Sequence, residues 1–422
     1  MEIVSAEGAY LKTANGQQIL DASAGAAVGN IGWGRQEVAE AAAESLSRLT
    51  YALPPFATPE RLELAERLRT DWLPGEMRGI SFFGSGSEAN EAAMRLARQY
   101  QLAMGRKNRW KIIGRDVSYN GTTLATLAVG GHDARRKGFG PMMREMPHAP
   151  ACYCLRCPLG KAYPSCEVAC ATALEAIIER EGADTIAAFH AEPITGTSGG
   201  GLVPPDEYLP TIARICREHD ILLIADEVLT GFGRTGKRMA VDHWSIEPDI
   251  IVLGKGMSGG YAAMSAVATQ GHIPEAMQAA GIAPMFHTYG GHPSQCAAAN
   301  KTLEIMKTEG LVERVAQLGP TLDSKLEVLQ QNPFVADVRG RGFLYGIEVV
   351  KDKETLEMFP MHAGVTFKIM EATVKRGVFT YFGGTGTVRD VVCIAPPFIL
   401  EESDMDTIVT ALNEAITEAC TS

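Results

Sequence analysis

The chain has 422 residues, 46% of them hydrophobic and 21% charged. These are ordinary globular values, with length enough for two or three domains, so disorder, collagen and coiled coil are excluded as the main architecture. Against 39 Lys and Arg stand 50 Asp and Glu, a net charge of −11, which argues against non-specific nucleic-acid binding and against attachment to anionic membranes.

In chain order, GAYLKTANGQQILDA (8–22) reads as a small hairpin with an Asn-Gly turn. From about residue 79 to 270, short apolar runs alternate with amphipathic stretches. The runs lie at 79–83, 110–116, 185–189, 221–226, 249–254 and 265–269, with helices expected at 87–103, 168–182, 206–219 and 272–280. Short runs buried on both faces and separated by helices predict a parallel α/β sheet. Beyond about 300 come helices at 292–309 and 311–331, strands at 334–339 and 343–350, a helix at 362–376, a short run at 391–397 and a last helix at 402–418. That order predicts a smaller α+β domain. No run of 18 apolar residues suggests a membrane span. The start, with an acid at position 2 and no apolar segment, predicts no leader and a cytoplasmic protein.

Three stretches carry chemistry. In Phe82-Phe83-Gly84-Ser85-Gly86-Ser87-Glu88 a strand runs through a Gly/Ser turn into a helix. Free N–H groups at a helix start favour a phosphate. The same residues also fit a dinucleotide pattern, Gly84-x-Gly86-x-x-Ala89, or a plain helix cap. In ILLIADEV (221–228) an apolar strand ends in Asp226 and Glu227, where a parallel sheet places its ligand crevice. In Ile250-Ile251-Val252-Leu253-Gly254-Lys255-Gly256 a lysine follows a buried strand between glycines. Poor hydration there lowers its pKa and makes the amine nucleophilic. Taken singly, the acids could be a solvated strand end and the lysine a surface residue. Taken together, a phosphate cradle, a carboxylate and a strand-end lysine are the parts that hold pyridoxal phosphate.

With GSGSEANEAAMRLAR (84–98), SYNGTT (118–123), AEPITGTSGG (191–200), ADEVLTGFGRTG (225–236), LGKGMSGG (253–260), FHTYGGHPSQCAAA (286–299), VRGRGFLYGIEV (338–349) and IAPPFIL (394–400), the sequence resembles a class III pyridoxal-phosphate-dependent aminotransferase of fold type I. The resemblance implies an α/β fold, with a large cofactor-binding domain over 56–300 around a mainly parallel sheet. A small α+β domain would comprise 301–422 together with the segment 1–55. It implies that Lys255 carries the cofactor and moves a proton, and that Asp226 faces the pyridine nitrogen. Tyr119 and Val228 would cover the ring, Ser85, Gly86 and Ser87 would hold the phosphate, and Glu192 would lie nearby, able to pair with an arginine. Thr288 would reach the phosphate of a neighbouring subunit, which implies a homodimer with shared active sites, or a higher oligomer. An amine donor and an oxo-acid acceptor would react in turn. A racemase, decarboxylase or aminomutase of the same fold is the alternative, and an NAD(P)-dependent oxidoreductase built on the Gly84 turn is the alternative from another class.

The sequence departs from the family in places. Where members that grip an α-carboxylate have an arginine, this chain has Cys393, and a thiol cannot replace a bidentate guanidinium. This points to the amine:pyruvate or ω-amino acid side of the family, with Arg389 as another candidate for a carboxylate. Asn120 stands where a histidine is usual. Trp33, Tyr51 and Phe56 are candidates to line a substrate pocket. Finally, Cys152, Cys154, Cys157, Cys166 and Cys170 crowd one loop. A structural metal, a redox-sensitive disulfide and inert thiols all remain open, and no metal ligand is assigned.

Overall fold

The computed structural model describes residues 1–283 and 285–421. Strands β1 (Ile3–Glu7), β2 (Tyr10–Thr13) and β3 (Gln18–Asp21) form an antiparallel meander. The expected hairpin is β2–β3, and Gly16 supplies the left-handed backbone of its turn, φ 85°. Two helices follow that the alternation of runs did not signal, α1 (Gln36–Arg48) and α2 (Pro59–Arg67). The second had a readable start: the Thr58 hydroxyl accepts from the Arg61 N–H, and Pro59 holds the first helical position.

The central sheet is built from β4 (Met77–Phe83), α3 (Gly86–Ala103), β5 (Lys111–Asp116), α4 (Ala169–Glu181), β6 (Ile186–Ala191), α5 (Tyr208–Glu218), β7 (Leu222–Asp226), β8 (Ile250–Leu253), β9 (Ser265–Gln270) and α6 (His272–Ala279). Its order is β4-β9-β8-β7-β6-β5, with the short pieces Gly130–Gly131 and His148–Ala149 pairing in parallel with β5. Strands β5 to β8 are parallel neighbours. The run at 265–269, expected as one more parallel strand, is instead antiparallel to both β8 and β4. The 254–264 connection contains no crossover helix, so the chain can only turn back beside the strand it left. Every residue of β6, β7 and β8 is buried. On one face Ala89, Ala93 and Ala97 let α3 pack close to the strands. On the other, α4 and α5 cover them with Leu174, Ile178, Ile212 and Ile215.

The rest of the chain forms α7 (Pro293–Thr308), α8 (Leu311–Glu327), β10 (Val335–Arg341), β11 (Leu344–Val349), α9 (Val365–Lys375), β12 (Val378–Phe379), β13 (Tyr381–Gly383), β14 (Val391–Ile394) and α10 (Glu402–Thr421). Strands β10-β11-β14-β13 make an antiparallel sheet. β13 went unpredicted because three residues ending in glycine carry no period. β12 leaves this sheet and pairs in parallel with β3, Val378 opposite Leu20, which ties the N-terminal meander to the C-terminal region.

Candidate active site

A cavity of about 260 Å³ opens where β7 and β8 end and α3 begins. Ser85 is the residue before α3. Its hydroxyl accepts from the Glu88 N–H at 3.3 Å, while the Glu88 carboxylate accepts from the Gly84 N–H at 2.8 Å. This turn presents Gly86 and Ser87 to the cavity. The cradle has no spare room. A Cβ on Gly86 would lie 3.1 Å from Val228, and one on Gly121 would lie 2.6 Å from the Ser87 hydroxyl. The unpaired amides of an 18-residue helix meet there a space shaped for an anion.

Asp226 ends β7 and is 4% exposed. Its Oδ2 accepts from Asn120 Nδ2 at 2.8 Å, and its Oδ1 accepts from the Val228 N–H at 3.1 Å. On β6 His190 pairs with Ile224, so it shares a face with Asp226. Its Nε2 lies 4.0 Å from Asp226 Oδ2, and neither ring nitrogen has a partner among the described residues. Burial pushes His190 down to about 4, so it is neutral at physiological pH. The neighbouring acid behaves differently. Glu227 faces away from the cavity and accepts from the Val241 N–H and the Thr230 hydroxyl. Strand alternation gives adjacent carboxylates opposite surroundings.

Lys255 lies just beyond β8, at φ 43°, a left-handed backbone unusual for a residue with a side chain. Its neighbour Gly256 is obligatory, because a Cβ there would lie 2.3 Å from Asn30. The lysine lines the cavity, and its amine has no hydrogen bond or ion pair among the described residues. Burial lowers its pKa, with Asp226 and Glu192 opposing, so the amine loses its proton more easily than a surface lysine. Glu192 is also buried. Its oxygens accept from the Tyr119 N–H at 3.0 Å and the Gly196 N–H at 2.8 Å, not from an arginine side chain. Burial, with the charge of Asp226, pushes it up to about 7.

Of the residues predicted from the sequence, Ser85, Gly86, Ser87, Tyr119, Glu192, Asp226, Val228 and Lys255 are brought together around one space. Thr288, Trp33, Tyr51, Phe56 and Arg389 are not. The Trp33 indole donates to Asp21 Oδ2 at 3.1 Å and packs behind the wall against Gly29 and Gly260. Tyr51, Phe56 and Thr288 lie on the surface, the Tyr51 hydroxyl donating to the Thr288 carbonyl at 3.0 Å. Arg389 is held by Met358 at 3.2 Å, off the cavity. The Gly-rich turn after Asp226 serves packing. There Arg234 is fully buried and donates to Asn30 and to the carbonyls of Phe343 and Pro396.

Sequence reasoning missed the rim. His132 and Arg135 come from one segment, and Tyr381, Phe382 and Gly384 from another. The two segments are stitched together by Ala134 N–H to Thr385 O and by the Thr387 hydroxyl to Asp133, both at 2.9 Å. No local pattern could have announced that contact. Asn120, next to Tyr119, was noted only as a departure, and its bond to Asp226 was not foreseen. The cysteines are all unpaired, and no group of three or more His, Cys, Asp or Glu among the described residues could hold a metal ion. A hydrogen bond from Cys152 draws Cys170, in the first turn of α4, down to about 7.

The residues fit pyridoxal phosphate on the structure's own terms. There is an anion cradle at a helix start, a held carboxylate and an unpaired amine. Asn90 Oδ1, Asn120 Oδ1 and Ser198 Oγ are buried on the cavity wall without partners among the described residues. Comparison with known proteins agrees. The family model of class-III aminotransferases matches residues 1–416. The aminotransferase YhxA of Bacillus subtilis is 40% identical over 97% of this chain and 90% of its own length. The putrescine–pyruvate aminotransferase of Pseudomonas aeruginosa is 34% identical over 98% and 90%. Among solved structures, an (S)-enantioselective ω-transaminase from Thermomicrobium roseum superposes with a TM-score of 0.94 at 36% identity, covering 99% of this chain and 93% of that one. The chain belongs to the class III aminotransferases, enzymes of fold type I that transfer amino groups with pyridoxal 5′-phosphate.

Proposed function

We propose that this class III aminotransferase takes its amino group from an amine or ω-amino acid and hands it to a small oxo acid such as pyruvate, the two substrates visiting one site in turn. The observation that carries the reading is the unpaired Lys255 amine in the same cavity as the held carboxylate of Asp226. The choice of donor class rests on Cys393, which is buried in β14 where an α-carboxylate clamp would need a guanidinium. The putrescine–pyruvate relative supports the same choice.

What pyridoxal phosphate supplies when bound is a ring that stores the negative charge left on the donor carbon and carries the amino group between substrates. The rest falls to the chain. The Gly86 and Ser87 end of α3 would receive the phosphate. Tyr119 and Val228 would confine the ring, and Asp226, held by Asn120 and the Val228 N–H, would accept from its pyridine N–H. Lys255, with its lowered pKa, would take up and hold the proton that leaves the donor carbon. Glu192 fixes the backbone of Tyr119.

The protein is further proposed to be a cytoplasmic homodimer. Tyr51, Phe56 and Tyr289 are 37%, 65% and 66% exposed beside Thr288. A second copy on this apolar face would bring Thr288 to its neighbour's phosphate. Nine unpaired thiols suit a reducing compartment. The division at residues 55 and 300 is likewise proposed, supported by the path of β3 and β12.

The test is a panel of amines and ω-amino acids mixed with the loaded enzyme, following the absorption of the bound cofactor. Loss of the band with a donor, and its return with pyruvate, is expected. A band that no donor bleaches would leave a racemase or decarboxylase of the same fold instead.

A further inference from the structure

The proposed reaction needs a group that recognises a carboxylate on the oxo acid and on an ω-amino acid. Neither position considered from the sequence supplies it, since Cys393 is buried in a strand and Arg389 is held off the cavity. We infer that Arg135 receives the substrate carboxylate, an inference that rests on the transaminase reading of the same site. Its side chain lines the cavity that contains Lys255. Three other arginines of this region are committed elsewhere. Arg115 donates to the Glu192 carbonyl and the Thr195 hydroxyl, Arg339 pairs with Asp337 and Glu348, and Arg136 lies 3.5 Å from His148. The Arg135 guanidinium has no hydrogen-bond or ion-pair partner among the described residues. It lies over the face of Tyr119, with Cζ 4.8 Å from the ring centroid.

That contact matters chemically. A guanidinium lying on a ring face is steadied by the ring's electrons, yet its N–H groups point outward in its own plane and stay free for a planar carboxylate. The backbone beneath it is fixed. The Arg135 N–H donates to the His132 carbonyl, and Asp133 and Ala134 just before it are bonded to the 384–388 loop. His132, the other nitrogen-bearing side chain of this segment on the cavity, is held neutral by burial and by Arg135 itself, at about 4. The positive charge on this wall therefore rests on Arg135. A monoamine without a carboxylate could enter the same cavity and leave the guanidinium unpaired.

The experiment uses the loaded enzyme and separates the two half-reactions by the absorption of the bound cofactor. In Arg135→Leu, the rate constant with pyruvate at low concentration should fall about 10- to 100-fold, the cost of losing charge-assisted hydrogen bonds. The half-reaction with butylamine should stay within about 3-fold of wild type, since no carboxylate is involved. Arg135→Lys should recover part of the pyruvate rate, and Arg136→Leu should leave both unchanged. Equal losses with pyruvate and butylamine, an unchanged pyruvate rate, or a loss confined to cofactor affinity would each overturn the assignment. A wild-type enzyme that no amine bleaches would instead overturn the transaminase reading beneath it.

Discussion

The floor and the rim of the cavity are held by different kinds of bond. The floor consists of strand ends and one helix start, and its two carboxylates are each held by neighbouring N–H groups. Asp226 takes N–H groups from Asn120 and Val228, and Glu192 takes them from Tyr119 and Gly196. The rim consists of two segments distant in the chain, 132–136 and 381–386, joined by a few hydrogen bonds. Its side chains, Arg135, Tyr381 and Phe382, touch mainly aromatic faces, the last two stacked at 4.6 Å. Fixed donors and acceptors suit a cofactor that stays. Aromatic faces and an unpaired cation suit substrates that come and go.

If the division is sound, floor substitutions should strike the chemistry and rim substitutions the choice of substrate. The largest effect is expected at Lys255. Lys255→Ala should lower turnover at least about 1,000-fold, because no other unpaired amine is at hand to move the proton. Single-turnover absorbance with a good donor measures it. A variant that kept a tenth of the activity would remove Lys255 from the role. Next is Asp226→Asn, which exchanges a charged acceptor for a neutral one beside Asn120. Turnover should fall roughly 10- to 100-fold with every donor alike, with weaker cofactor retention on dialysis. Donor-dependent losses would mean that floor and rim are not separate.

Much of the floor was legible in the sequence for a physical reason. A strand followed by Gly-Ser-Gly-Ser, a strand ending in Asp-Glu and a strand ending in Gly-Lys-Gly are local signals, and the topology of a parallel sheet brings such ends to one edge. The helices at 87–103, 168–182 and 206–219 and the strands between them were legible for the same reason. The antiparallel turn of β9 was not, because an apolar run has no direction. His190 was invisible as a site residue because its place beside Asp226 depends on the register of β6 against β7. Arg135 was invisible because its segment acquires meaning only from contact with residues 384–388. Tyr51, Phe56 and Thr288 were read as site residues, yet within one chain they lie together on the surface.

A rim substitution sharpens the comparison from the other side. Tyr381→Ala removes one member of the stacked pair with Phe382 and opens the cavity wall. The KM for bulky and small amines should shift by about 3- to 10-fold relative to one another, the scale of one lost aromatic contact. Cofactor affinity should not change. Equilibrium dialysis of the cofactor beside a donor panel would show it, and a matching loss of cofactor would place Tyr381 in the floor.

The smallest effect concerns the back of the floor, where Glu227 differs from Asp226 only in the direction it faces. Burial pushes Glu227 up to about 7 from an ordinary 4.5, partly offset by its hydrogen bonds from Thr230 and Val241. Between those two values the folded protein holds a proton that the unfolded chain has released. Stability from this group is therefore greatest at low pH and declines as pH rises towards 7. Glu192 acts in the same direction, while His132, His190 and His243, each pushed down to about 4, act oppositely as pH falls below 6.5. The net slope of the wild type is thus uninformative, but the difference from Glu227→Gln is not, because the other groups cancel in it. The variant should gain stability over wild type as pH climbs from 4.5 to 7 and hold the gain above that, by at most on the order of 3 kcal/mol. Turnover should stay within about 3-fold, because Glu227 faces away from the cavity. Melting temperatures across this range measure the gain. Parallel curves for the two proteins would mean that Glu227 is ionised inside the fold, and that direction alone does not separate the two acids.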